Sequence, residues 1–178
     1  MNRTLLTVLA LAAAVLFAAP ARAAALKAGD KAPDVTAPLS DGTTFKTSDW
    51  LSKAPLVIYF YPKDFTGGCT KEACSLRDDF SAFRGLNATV IGVSYDSVDS
   101  HQKFIAKHHL PFLLASDANK AVSIAFGVNG WPFARRATFI IGRDGTILWA
   151  NPKVDPKTHS AELQAALKKL SAPAPAAK

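Results

Sequence analysis

Residues 55–74 read PLVIYFYPKDFTGGCTKEAC. The first seven, PLVIYFY, form a continuous apolar run rich in β-branched and aromatic side chains, the pattern of a central strand buried on both faces. Pro62 ends that run, because a proline cannot donate to a sheet ladder. From about Thr66 to Arg84 the apolar residues Ala73, Leu76, Phe80 and Phe83 recur at three- and four-residue steps, which predicts a helix. Cys69 therefore sits near the start of a helix that follows directly on a buried strand. At that place the first amides are free and the helix dipole is positive, so an anion is stabilised. A thiolate is such an anion, and its reactivity is raised there. Gly67 and Gly68 let the backbone bend close and aim amides inward.

The segments on either side complete the architecture. APDVTAPLSDGTTFKTSDW carries an Asp41-Gly42 turn between two short extended stretches, an expected hairpin. ATVIGVSY (88–95) is a second buried strand, SVDSHQKFIAKHH (97–109) a helix capped by Ser97 or Asp99, and PFLLAS (111–116) a third strand. ANKAVSIAFG (118–127) is a short helix closed by Gly127, and ATFIIGRDGTILWA (137–150) is two strands around an Asp144-Gly145 turn. DPKTHSAELQAALKKL (155–170) is a final helix with Lys168 and Lys169 at its negative end. Strands alternating with helices imply a parallel core, and the terminal hairpin adds antiparallel strands. The order predicts a thioredoxin-like three-layer α/β sandwich with a central mixed sheet, an N-terminal hairpin and flanking helices.

The chain has 178 residues, and its start is expected to lie outside this fold. Arg3 supplies a positive n-region, residues 5–19 are an uncharged apolar run, and Ala21-Arg22-Ala23 is a small-x-small cleavage site. This is the pattern of a secretory signal peptide, with an apolar run shorter than the about 20 residues of a bilayer span. Residues 1–23 are therefore expected to be cleaved and the protein exported, for instance to a periplasm, with no stable membrane insertion afterwards; an uncleaved anchor is the alternative. Residues 24–171 suit one domain with a full core, and residues 172–178 form an Ala/Pro tail expected to be flexible. Removing Arg3 and Arg22 lowers the formal charge from +7 to +5. The basic residues are scattered, with no aromatic interleaving, which argues against nucleic-acid binding.

Cys69 and Cys74 are the two cysteines of the chain. Five residues of helix are about 7.5 Å of rise and about 500° of rotation, so the two side chains point apart. A disulfide needs Cα atoms about 4.4–6.8 Å apart. The pair can close only if the first turns unwind. Export to an oxidising compartment makes a disulfide plausible, yet this spacing makes a poor permanent staple. It suits a cycle in which one thiol reacts and the other is recruited afterwards.

The stretch YPKDFTGGCTKEAC resembles the active-site loop of the peroxiredoxins, in particular the bacterioferritin-comigratory-protein, or PrxQ, subgroup. The family pattern Pro-x-x-x-Thr-x-x-Cys is met by Pro62, Thr66 and Cys69, and the subgroup's second cysteine by Cys74. RATFIIGRDGTI resembles the segment that carries the family's arginine, which maps to Arg136. The resemblance covers about residues 26–170. One departure is Gly67, where the subgroup usually has proline, so the loop is expected to be looser.

The resemblance implies a thiol peroxidase. A hydroperoxide is the substrate, Cys69 the attacking thiolate, and Cys74 the resolving thiol that forms an intramolecular disulfide. Thr66 and Arg136 stabilise the departing oxygen together with helix-start amides that include Gly68. Pro62 shields the pocket, and Glu72 orients Arg136. A thioredoxin-like or other periplasmic dithiol recycles the enzyme, which is a monomer or homodimer, with no metal, haem or flavin. Two rivals are weaker. A thioredoxin-type reductase would want Cys-x-x-Cys and a proline where Ala137 stands. A copper carrier would want Cys-x-x-x-Cys and a distant histidine, whereas His101, His108, His109 and His159 lie on predicted helices, where surface histidines are common.

Overall fold

The computed structural model describes residues 24–51 and 54–171, so the expected leader and the Ala/Pro tail lie outside the described residues. The N-terminal hairpin is β1 (Thr36–Pro38) and β2 (Thr44–Lys46), paired antiparallel around Gly42 at φ 85°. A five-residue helix, α1 (Thr47–Leu51), follows. β3 (Leu56–Phe60) is buried along its whole length. α2 (Gly67–Asp78), α3 (Phe80–Gly85), β4 (Thr89–Ser94), α4 (Val98–His108), β5 (Leu113–Ser116) and α5 (Ala121–Ala125) come next. The chain closes with β6 (Ala137–Ile141), β7 (Ile147–Asn151) and α6 (His159–Ser171).

The main sheet has the order β5-β4-β3-β6-β7. β3, β4 and β5 run parallel, while β6 pairs antiparallel with β3, and β7 antiparallel with β6. This is the mixed sheet expected from the element order. The period-two alternation of β3 divides the core into two layers. Leu56, Ile58 and Phe60 face the side covered by the hairpin, α1 and α5, with Phe45, Phe126 and Phe139. Val57, Tyr59 and Tyr61 face the side that holds Cys69, Leu76 from α2, Phe83 from α3, Phe104 from α4 and Leu163 from α6.

On that second face Tyr59, Gly92 and Leu114 stand in cross-strand register. A methyl group at Gly92 would lie 2.7 Å from Tyr59 Cζ and 2.6 Å from Leu114 Cδ2. The missing side chain makes room for the Tyr59 ring, which stacks on Tyr61 and leans on His159. That aromatic layer forms part of the floor beneath Cys69.

Three features differ from the sequence expectation, the first being the helix α1 at the end of the stretch read as a hairpin. The helix expected over residues 66–84 is two helices, broken at Asp79 (φ −95°, ψ 8°). Asp79 is a poor helix-interior residue, and its carboxylate accepts the Ser160 hydroxyl of α6 at 2.6 Å. The tight bond from Ala82 N–H to Asp79 O at 2.9 Å then starts a new axis. The histidines expected on helix surfaces also divide, for His101 and His159 are fully buried while His109 is exposed.

Candidate active site

Cys69 is the third residue of α2 and is 2% exposed. The loop that delivers it is anchored at Asp64. That carboxylate accepts the Tyr61 hydroxyl at 2.7 Å and the Ser100 hydroxyl at 2.8 Å, and lies 2.9 Å from His101 Nδ1. The Asp64 amide donates to Asp96 at 2.9 Å. Burial alone would push the Asp64 carboxyl up, but the hydrogen bond and charge of His101, with the two hydroxyls, outweigh it and hold the group below its usual 3.8. Pro62, half-buried, sits in the stretch between this anchor and β3.

Thr66 is the N-cap residue by position, with extended backbone at φ −85° and ψ 147°, yet its side chain does not cap α2. Its hydroxyl donates instead to the Lys63 carbonyl at 2.9 Å. Its proton is engaged there. Thr66 Oγ1 offers lone pairs, which suit a ligand O–H. The first amides of α2 have no intrahelical acceptor and remain available around Cys69.

Arg136, next to β6, reaches across to the helix. Its Nη2 lies 3.2 Å from Cys69 Sγ, and its Nη1 is ion-paired with Glu72. Glu72 is fully buried, one turn after Cys69 on α2. Arg135, one residue earlier, turns its guanidinium to the Gly127 carbonyl instead. Gly68 packs beside the site, where a methyl group would stand 3.8 Å from Arg136 Nη2 and 3.9 Å from Pro156 Cγ. The structure thus brings together Pro62, Thr66, Gly68, Cys69, Glu72 and Arg136. Cys74, half-buried, lies farther along the same intact helix, and both thiols are free.

One residue of the cluster was not expected. His159 opens α6 beneath Glu72, with Nδ1 2.9 Å from Glu72 Oε1 and Nε2 2.9 Å from Thr138 Oγ1. The Glu72 contact is close but outside hydrogen-bond geometry. Burial lowers the His159 pKa to about 4; Glu162 pulls it up and Arg136 pushes it down, without reversing the shift. The ring is neutral at pH 7. The sequence signal for it was present, because His159 shares a helix face with Leu163 and Leu167, both buried. Among the described residues no group of three His, Cys, Asp or Glu side chains is arranged to hold a metal ion, and no helix is long and apolar enough to cross a membrane.

The chain matches the AhpC/TSA family over residues 28–150. It is 42% identical over 156 residues to "Peroxiredoxin Bcp" of Bacillus subtilis, covering 82% of this chain and 98% of that one. Its structure resembles the peroxidoxin BcpB of Mycobacterium tuberculosis, with a TM-score of 0.77 and 34% identity over 82% of this chain and 98% of the other. The bacterioferritin comigratory protein of Xanthomonas campestris aligns with a TM-score of 0.72 and 34% identity over 78% and 92%. The structure of that protein is described as giving insight into its alkyl peroxide reduction activity.

The buried neutral His159 carries a consequence for acid stability. Its folded pKa of about 4 lies below the usual 6.5, so the unfolded chain binds the extra proton first. Its contribution is complete above about pH 6.5 and is lost as pH falls through about 4. Urea unfolding at a series of pH values should show wild type losing stability across this window more steeply than His159→Gln. Parallel curves would mean that His159 titrates as an ordinary histidine.

Proposed function

Since this chain belongs to the AhpC/TSA family, and is a peroxiredoxin-type thiol peroxidase of the Bcp/PrxQ kind, we propose that Cys69 reduces hydrogen peroxide and organic hydroperoxides and that Cys74 resolves the product. The observation that carries the reading is Arg136 Nη2 at 3.2 Å from Cys69 Sγ, at the start of a helix. A guanidinium there touches the sulfur and stands ready for charge that develops on a neighbouring oxygen.

The peroxide O–H donates to Thr66 Oγ1, which turns the O–O bond toward the sulfur. The thiolate attacks the terminal oxygen, an S–O bond forms, and the O–O bond breaks. The departing alkoxide or hydroxide meets Arg136 and the helix-start amides, takes a proton and leaves as alcohol or water. Cys69 is then a sulfenic acid. Support for alkyl hydroperoxides as substrates comes from the Xanthomonas campestris relative described above.

Resolution needs the first turn of α2 to open. Several features make that turn weak. It begins with Gly67 and Gly68, it has no side-chain cap, and Phe65 just before it holds φ 60°, a left-handed conformation that costs a bulky residue of order 1–3 kcal/mol. Once it opens, Cys74 sulfur displaces the sulfenic oxygen, water leaves and a disulfide forms. A thioredoxin-like dithiol then reduces the disulfide by exchange. If the leader is cleaved, as the sequence suggests, that partner works in the exported compartment.

Peroxide consumption with a dithiol reductant tests the assignment. Cys69→Ser should abolish turnover, and Cys74→Ser should react once and stop at a sulfenic acid. Full turnover by Cys69→Ser would remove the reading. A second test addresses the weak turn. Gly67 is the first residue of α2, and its φ is not positive. A methyl group added at Gly67 would meet nothing within 4 Å, and Thr66 has the extended backbone that a following proline requires. Gly67→Pro should stabilise the reduced protein by about 0.4–1 kcal/mol and slow disulfide formation by the equivalent factor, about two to five. Disulfide formation at the wild-type rate in a protein so stabilised would show that this turn does not open in the slow step.

A further inference from the structure

The second cysteine has a partner that the peroxide-reducing step does not use. Cys74 Sγ lies 3.9 Å from Nδ1 of His108, in the last turn of α4, and both residues are half-buried. The His108 ring is seated on aromatic neighbours, edge-on to Phe104 with centroids 5.0 Å apart and tilted against Phe65 at 6.4 Å. Its backbone is fixed too, because Arg77 on α2 donates Nη1 to the His108 carbonyl at 2.8 Å. An imidazole held beside a thiol is the arrangement used to activate a sulfur nucleophile.

We propose that His108 is the general base of the resolving step, taking the Cys74 thiol proton so that a thiolate attacks the Cys69 sulfenic acid. This rests on the reading of Cys74 as the resolving thiol. Nδ1 is the accepting nitrogen, so the neutral ring carries its proton on Nε2. The Cys74 S–H bond breaks and an N–H bond forms on His108. The freed electron pair of Cys74 makes the S–S bond as the S–O bond of Cys69 breaks. Hydroxide departs and is protonated to water, and His108 returns its proton to solvent. Formally the Cys74 sulfur loses one electron and the sulfenic sulfur gains one, so both reach the disulfide level.

The surroundings keep His108 ready to accept. Burial comes first, then the charges of Lys107, Arg77 and His109, and together they push the imidazole below its usual 6.5. It is therefore neutral at pH 7. The charged and titratable groups around it are Lys107 and His109 from α4 and its cap, and Cys74 and Arg77 from α2, with Arg77 itself paired to Asp78 at 2.7 Å. The phenyl ring of Phe65, from the loop before α2, carries Lys107 over its face. The bond from Arg77 ties the second half of α2 to α4. Opening of the first turn therefore carries Cys69 toward a Cys74 that stays beside its base.

The test follows one turnover. Reduced protein receives one equivalent of hydrogen peroxide, and formation of the Cys69–Cys74 disulfide is timed by stopped-flow fluorescence and identified by mass spectrometry between about pH 5.5 and 9.5. Wild type is compared with His108→Phe, which keeps a ring against Phe104, and with His108→Gln. Both variants should form the disulfide about tenfold more slowly at pH 7, less than the full effect of a positioned base because a thiol is already a few per cent ionised there. The gap should close above about pH 9, where solvent ionises an ordinary thiol unaided. Equal rates at pH 7 would overturn the proposal, as would a slowing of the same size at every pH, which marks a packing defect. A wild-type protein that consumes peroxide without forming this disulfide would instead remove Cys74 as the resolving thiol, and the role of His108 with it.

Discussion

The ion pair between Glu72 and Arg136 is the constraint around which the site is organised. Glu72 is fully buried on α2, and a carboxylate removed from water must be paired or neutralised, at a cost of several kcal/mol otherwise. Arg136 meets it from the residue next to β6, so the pair fastens the helix to the sheet. One nitrogen of the guanidinium is spent on Glu72, and the planar fork then aims the other at Cys69 Sγ. His159 backs the carboxylate from α6 and is itself positioned by Thr138 on β6. Three elements thus converge on one charge, and the sulfur lies at the open end of that chain.

A second constraint divides α2 into unequal halves. The first turn has two glycines, no side-chain cap and a strained residue before it. The later turns are bound to the core through Leu76, to α4 through Arg77 and to α6 through Asp79. In the proposed cycle a rigid arrangement serves peroxide reduction, and local opening of its weakest turn serves disulfide formation. Such low-stability segments are where conformational steps are expected. In that proposed cycle, only a Cys69 released from its pocket reaches Cys74.

Much of this was legible because it is written in local spacing. β3 is a single apolar run, both hairpins carry Asp-Gly turns, and Cys69, Glu72 and Cys74 lie on one short helix whose start is marked by a glycine pair. Arg136 was identified by resemblance, and its contact with Glu72 follows the expectation. What escaped is which partner each side chain takes in the folded protein. The break at Asp79 answers to Ser160, the Thr66 hydroxyl turns to Lys63 rather than to its own helix, and α1 is a short turn stabilised by packing. His101 and His159 looked like surface residues because a histidine on a helix is read as polar. Their neighbours at helical spacing, Phe104 and Leu163, are core residues, and that pattern was the available clue.

We infer a coupling in which Glu72 acts through Arg136 on the reactivity of Cys69. It is tested most directly by the second-order rate constant of Cys69 with hydrogen peroxide in wild type, Glu72→Gln, Arg136→Gln and the double variant, with folding of each checked by thermal unfolding. Removing an electrostatic donor of this kind costs about 10²–10³ in rate. Glu72→Gln should lose a large share of the rate lost by Arg136→Gln, and the double variant should be no slower than Arg136→Gln alone. Losses that multiply in the double variant, or a Glu72→Gln protein that reacts at the wild-type rate, would contradict it.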